Sequence, residues 1–328
     1  MTDEKTNRDL GPDAESAPSR GATANDTSNN VKISGETPAG KRTRTNVASR
    51  GSVVDALAGM LSFFTIFRLN VGEKHIHAAN CNFWLAPVIG FLNGLIVAAV
   101  GGIMAFIGAS LMMTCAMMLA TSFLVSKFLH FDGLVDFGDG MVATGDREKK
   151  IRALKDTNIG AGGLGLALTI VLLSFAGMNS FGVLILLLVG PVEVLVKNTM
   201  VATATFGDPG NGMASEQVRY TSEASVIMSS VLTVALSFLL LAIAGLVMDA
   251  ATGSALVSVE NAARALLIIA VSVASTLVMG YIIARLANRQ FGYVNGDVLG
   301  ASNEIGRAFL YIVIIAAITA LEKTNMWI

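Results

Sequence analysis

The chain runs from His75 to Ser126 without a single lysine, arginine, aspartate or glutamate. Such a stretch fits two membrane spans of about 20 residues joined by a tight turn, which we place near 108–110. Three further stretches lack charge, namely 157–192, 224–248 and 265–284. Because a charged side chain is costly in the hydrocarbon core of a bilayer, this pattern predicts a polytopic membrane protein.

The composition excludes several other classes of protein. Hydrophobic residues make up 53% of the 328 residues, charged residues only 14%, and the mean hydropathy is +0.63. These values exclude an ordinary soluble enzyme. A net charge of −1 excludes a strongly basic nucleic-acid binder, and two cysteines exclude a disulfide scaffold or a four-cysteine metal site. We therefore predict an all-α integral membrane helix bundle.

The uncharged stretches predict about seven transmembrane helices. Their expected positions are 85–107, 110–130, 161–178, 181–204, 226–248, 263–286 and 307–322. The apolar segment 53–67 is short and contains Asp55, which favours an interfacial or re-entrant helix over an eighth span. We therefore expect residues 51–328 to form a membrane-embedded domain.

Residues 1–50 are polar throughout and predict a disordered tail. Lysine and arginine collect at the end of this tail and in the segments 131–160, 205–225 and 287–306. An even number of predicted spans separates each segment from the next. By the positive-inside rule, the tail and these three loops face the cytoplasm, and we expect a multi-pass protein of the cell membrane.

The strongest local signal is the acidic segment 130–140, which contains Asp132, Asp136 and Asp139. In a helix the three carboxylates would lie on one face, where a hard cation such as Mg²⁺ would relieve their repulsion and leave positions for substrate phosphates. The simpler interpretation is a solvated acidic face at a membrane boundary. Downstream, Lys155 could neutralise a phosphoryl oxygen, although its basic stretch also suits an ordinary surface helix.

These motifs, in this order and spacing, resemble the cobalamin synthase family, the adenosylcobinamide-GDP ribazoletransferases. The family's acidic segment is matched by His130, Asp132, Gly133, Leu134, Asp136, Asp139 and Gly140, and its second segment by Lys155, Asp156, Ile159 and Gly160. A third segment similar to the family covers 296–305. The resemblance extends over about residues 55–320. At Asn158 and Lys197 this chain departs from family members, which commonly carry arginine there.

The resemblance implies a phosphoryl transfer: a hydroxyl of α-ribazole, or of its 5′-phosphate, attacks adenosylcobinamide-GDP, and GMP leaves. It implies catalytic roles for Asp132, Asp136, Asp139 and Lys155, with Mg²⁺ held by the three aspartates. Substrate binding is expected at His130, Gly133, Gly140, Asp156, Gly160, Asp297, Asn303 and Glu304. The expected partners are these two substrates and the lipid bilayer, with no nucleic acid. The sequence does not decide whether the protein forms a homo-oligomer or a complex with other enzymes of cobamide assembly.

Two rival functions are weighed against this one. A CDP-alcohol phosphotransferase of lipid synthesis is disfavoured because Asp136 stands where that motif has arginine. A cation-coupled transporter would place acids at the midpoints of its spans, whereas here they cluster at span ends. Inside the fourth predicted span, Glu193 and Lys197 have the i, i+4 spacing of an ion pair. The pair could be purely structural or could line the substrate cavity, and the sequence favours neither alternative.

Overall fold

The computed structural model describes residues 51–210 and 212–323, so the predicted disordered tail lies outside the described residues. Within them the chain forms twelve α-helices, and an isolated bridge joins Pro209 to Val294. The helices are α1 Val53–Phe64, α2 Glu73–Cys81, α3 Ala86–Phe106, α4 Leu111–Val125, α5 Leu129–Val142, α6 Arg147–Leu154, α7 Ala161–Ser180, α8 Ile185–Phe206, α9 Met213–Tyr220, α10 Glu223–Thr252, α11 Val259–Gln290 and α12 Gly296–Lys323. The predicted all-α class is confirmed.

Six of these helices are long and apolar enough to cross a membrane: α3 with the turn before it, α7, α8, α10, α11 and α12. They correspond to six of the seven predicted spans. The α1 helix, with 12 residues, is shorter than a span requires, as expected for 53–67.

The helix over the predicted span 110–130 is broken rather than continuous. The α4 helix ends at Val125, and α5 continues at an angle of 89° to it. The bend occurs at Lys127 and Phe128, whose φ angles of 54° and 57° lie in the left-handed region. The backbone N–H of Phe128 donates to the Phe123 carbonyl at 2.8 Å and closes the end of α4.

The last predicted span begins too late, and the predicted loop 287–306 is mostly helical. The α11 helix runs to Gln290 and α12 begins at Gly296. The charged residues Glu304 and Arg307 made this part of the sequence resemble a solvated loop. In the structure both are buried and paired with each other within α12.

The α8 helix lies at the centre of the bundle and is the most enclosed of the six candidate spans. At Gly90 and Gly94 the α3 backbone lies so close to α8 that a Cβ atom would collide with the backbone of Glu193 or Gly190. Small residues at a helix crossing allow this approach, which is the usual solution in membrane bundles.

The three polar segments between the spans meet at one end of the bundle, as predicted. The backbone N–H of Val294 donates to the Asp208 carbonyl at 2.8 Å, and the Asp208 N–H donates to Asn288 Oδ1 at 3.1 Å. The segments 131–160 and 287–306 are joined in turn by Gly133 of α5, which packs against the backbone of Asp297 in α12.

Candidate active site

The acidic segment is helical, as its spacing required, and makes up most of α5. Asp132 is exposed, whereas Asp136 and Asp139 are half-buried. The i, i+4, i+7 spacing places all three carboxylates along one side of the helix. The helix lies against α7 and α12 at the end of the bundle where the polar segments meet.

A fourth carboxylate, that of Asp297, joins this face from the first turn of α12. Gly133 makes the approach possible, since a Cβ atom there would lie 2.8 Å from the Asp297 carbonyl oxygen. The charges of Asp132, Asp139 and Asp297 all act on Asp136. We call Asp132, Asp136 and Asp297 the acidic face.

Asp139 has a different environment, at the beginning of α7. Its Oδ2 accepts a hydrogen bond from the backbone N–H of Gly160 at 2.7 Å, and its Oδ1 accepts one from Gly163 at 2.7 Å. These donors belong to the first turn of a helix, where N–H groups have no partner within the helix. Asp139 therefore caps α7 and stabilises its docking on α5.

The predicted substrate-binding glycines are packing positions. Gly140 lies against the ring of Phe291, with no room for a Cβ atom. Gly160 lies directly against the Asp139 carboxylate, and Gly133 against Asp297. Their common role is to let helices and a capping carboxylate approach the backbone closely.

Lys155 ends α6 and is exposed beside the acidic face. Its Nζ lies 6.0 Å from the centre of the Tyr293 ring, and its charge acts on Asp297. The neighbouring Asp156 is also exposed. Its carboxylate accepts hydrogen bonds from the backbone and side chain of Asn158, which hold the pKa of Asp156 below its usual value. Asp156 thus shapes the turn that leads into α7.

Three of the predicted substrate-binding residues, His130, Asn303 and Glu304, are buried inside the bundle. Lys197 Nζ donates to Asn303 Oδ1 at 2.8 Å and lies 3.1 Å from His130 Nε2. The Asn303 amide in turn donates to Glu304 Oε1 at 2.8 Å. These side chains hydrogen-bond to one another beneath the acidic face rather than on it.

The expected ion pair of Glu193 with Lys197 is replaced by another. Glu193 pairs with Arg307 of α12, and Arg307 Nε also donates to Glu304 Oε2 at 3.2 Å. Sequence reasoning missed Arg307, because it lies in an apolar run and its partner is 114 positions away in the sequence. An arginine at the first position of the last predicted span was the available signal.

No group of three or more carboxylate, imidazole or thiolate side chains among residues 51–210 and 212–323 is placed so that it could hold a metal ion. The expectation that three aspartates enclose one ion is not met by the side-chain positions, because Asp139 is turned toward α7. Mg²⁺, however, is commonly held by one or two carboxylates together with substrate phosphates. Asp132 and Asp136 have the chemistry for that arrangement.

Fold and site together define a polytopic membrane helix bundle with a carboxylate-rich site at one end. The family model for cobalamin-5-phosphate synthase matches residues 56–315, and the chain belongs to that family. It is 29% identical to the adenosylcobinamide-GDP ribazoletransferase of Methanocella arvoryzae over 265 residues, 78% of this chain and 94% of the relative. The enzyme of the same name from Methanosarcina barkeri is 28% identical over 275 residues, covering 77% and 88%. No solved structure matches the chain.

Proposed function

We propose that this protein is an adenosylcobinamide-GDP ribazoletransferase. A hydroxyl oxygen of α-ribazole, or of its 5′-phosphate, forms a bond to the phosphorus nearer the cobinamide, the phosphoanhydride bond breaks, and GMP leaves. The observation that carries the proposal is the convergence of Asp132, Asp136 and Asp297 on one face, inside the part of the chain that matches the family.

The chain's own residues have separate tasks in this reaction. Asp132 and Asp136 orient the attacking hydroxyl, and one of them accepts its proton as the new bond forms. Lys155 provides a positive charge for phosphoryl oxygens, on which negative charge accumulates in the transition state. Asp139 acts indirectly, by fixing α7 and the turn that carries Lys155 and Asp156.

We further propose that Asp132 and Asp136 hold Mg²⁺ together with the substrate diphosphate. When bound, the ion spreads the charge of the phosphoryl oxygens. The mutual repulsion of the carboxylates on the acidic face supports this assignment, because a divalent cation relieves it.

We infer that the acidic face lies on the cytoplasmic side of the cell membrane. Adenosylcobinamide-GDP carries a charged diphosphate and does not cross a bilayer unaided. The basic residues of α6 lie at the same end of the bundle as the acidic face, in agreement with the positive-inside rule.

The proposal is tested by incubating membranes that contain the protein with adenosylcobinamide-GDP, α-ribazole and Mg²⁺. We expect GMP and a completed cobamide in equal amounts, and neither product without α-ribazole. The Asp132→Asn variant, inserted to the same level, is the matched control and should be inactive. GMP release that does not depend on α-ribazole would identify a hydrolase instead and contradict the proposal.

A further inference from the structure

A continuous chain of buried polar side chains runs through the bundle beneath the acidic face. It begins at Ser122 of α4, whose hydroxyl donates to Glu193 Oε1 at 2.9 Å. From Glu193 the contacts pass through Arg307, Glu304, Asn303 and Lys197 and end at His130 of α5. We call these seven residues the polar relay. It connects α4, α5, α8 and α12.

The relay is balanced in charge. It contains two acids, Glu193 and Glu304, and two bases, Lys197 and Arg307, and each is at most 2% exposed. Removing one partner of a buried pair leaves an uncompensated charge in an apolar interior, which is strongly unfavourable. The side chains are thus confined to the hydrogen-bond partners that they have.

The two ends of the acidic face are both attached to this relay. On α5, His130 lies two positions before Asp132. On α12, Asn303 lies six positions after Asp297, and the intervening Gly300 packs against the backbone of His130. The relay therefore joins the two helices that carry the carboxylates, at the point where they cross.

The α5 helix needs such an attachment because its direction is not set by the preceding helix. The left-handed residues Lys127 and Phe128 separate it from α4 at an angle of 89°. Its first turn is held instead by His130, whose ring stacks on Phe64 at 5.8 Å and contacts Lys197 through Nε2.

We propose that Asn303 is a positioning residue: by joining Lys197 to Glu304, it fixes His130 and with it the position of Asp132 and Asp136 relative to Asp297. The inference rests on the proposed function of the acidic face. Asn303 suits this role because its amide both accepts from Lys197 and donates to Glu304. A substitution that keeps its size but removes both bonds should leave the bundle folded and shift the carboxylates of α5 relative to Asp297.

The test compares Asn303→Leu with Asn198→Leu. Asn198 is equally buried, and its amide also bonds on both sides, donating to Thr276 Oγ1 at 2.8 Å and accepting from Ser229 at 2.7 Å. Its partners lie on α10 and α11, away from α5. We expect Asn303→Leu to lower kcat by about 100-fold, as a displacement of roughly 1 Å can, with KM for adenosylcobinamide-GDP within about threefold. Asn198→Leu should lower the unfolding temperature similarly and keep kcat within about threefold.

A distance measurement shows whether the helices move. Spin labels at Val142 of α5 and Ile312 of α12, both exposed, are placed in a background without Cys81 and Cys115. Asn303→Leu should shift or broaden the distance distribution, whereas Asn198→Leu should leave it unchanged. Equal losses of kcat in the two variants, or an unchanged distribution in Asn303→Leu, would overturn the proposal.

A second variant, and the spin-label distances taken alone, separate this proposal from the proposed function. If Asn303→Leu does not insert, His130→Phe tests the same connection, because it retains a ring for stacking on Phe64 and removes the nitrogen that faces Lys197; the same loss of kcat and shift in distance are expected. If the wild-type protein releases no GMP, the proposed function fails, while the spin-label distances still decide whether the relay positions α5.

Discussion

Asp139 Oδ2 lies 2.7 Å from the backbone nitrogen of Gly160, so one of the three aspartates of the acidic segment is joined to the first turn of α7. A carboxylate in this position also interacts favourably with the positive end of the helix dipole. The three aspartates, which look equivalent in the sequence, therefore lie in two different environments. Substituting them one at a time should separate catalysis from stability.

Asp132→Asn and Asp136→Asn should each lower turnover by about two orders of magnitude or more without lowering the unfolding temperature, because each removes charge from a face where carboxylates repel. Asp139→Asn should destabilise the protein by about 1 to 2 kcal/mol, since the new amide group would face a backbone N–H of α7. Thermal unfolding in detergent and GMP release measure the two effects. An unfolding temperature lowered more by Asp132→Asn than by Asp139→Asn would contradict the capping role.

Chelation of divalent cations with EDTA should abolish GMP release, and Mg²⁺ should restore it. In Asp136→Asn, residual activity should require at least about tenfold more Mg²⁺ for half-maximal rate, because one anionic ligand is lost. The Mg²⁺ dependence of Lys149→Met provides the control and should match the wild type. Full activity in EDTA would eliminate the metal from the mechanism.

Lys155→Met should lower kcat by about tenfold or more, whereas Lys149→Met should change it by less than about twofold. Both lysines are exposed and belong to one basic stretch, but only the charge of Lys155 acts on Asp297. The difference follows from the greater strength of a charge close to the reacting phosphate. Equal, mild effects of the two substitutions would support the surface-helix interpretation of this stretch.

Single cysteines at Thr144, Arg219 and Arg289, all exposed, should react with an impermeant thiol reagent from the cytoplasmic side. A cysteine at Ala255, in the exposed turn between α10 and α11, should react only from the opposite side. The expectation follows from the number of crossings and from the positive-inside rule. Labelling of Arg289 and Ala255 from the same side would show that α11 does not cross the bilayer.

The spans were predictable because an uncharged run of some 20 residues has few alternatives to a membrane helix. The bend after Val125 was not predictable from the sequence. It depends on the left-handed backbone conformation of Lys127 and Phe128, and lysine and phenylalanine do not favour that conformation. The start of α12 was missed because polarity in the sequence does not distinguish a solvated charge from a buried, paired one.

For the site, helical spacing correctly placed Asp132 and Asp136 on one face of α5. Helical spacing did not predict the partner of Lys197. The i, i+4 rule points to Glu193 on the same helix, whereas Lys197 donates to Asn303 of α12, which is distant in the sequence. The capping role of Asp139 was within reach, since the glycines at 160, 162 and 163 indicate a helix start that something approaches closely.

The 15 residues of α4 give it a length of only about 22 Å, whereas the hydrocarbon core of a bilayer is about 30 Å thick. The bend at Phe128 prevents α5 from making up the difference. This hydrophobic mismatch should draw the headgroup region inward around α4 and thin the membrane locally. Water would then reach the acidic face at a depth that is otherwise occupied by acyl chains, and lipids with longer chains should slow the enzyme by deepening that depression.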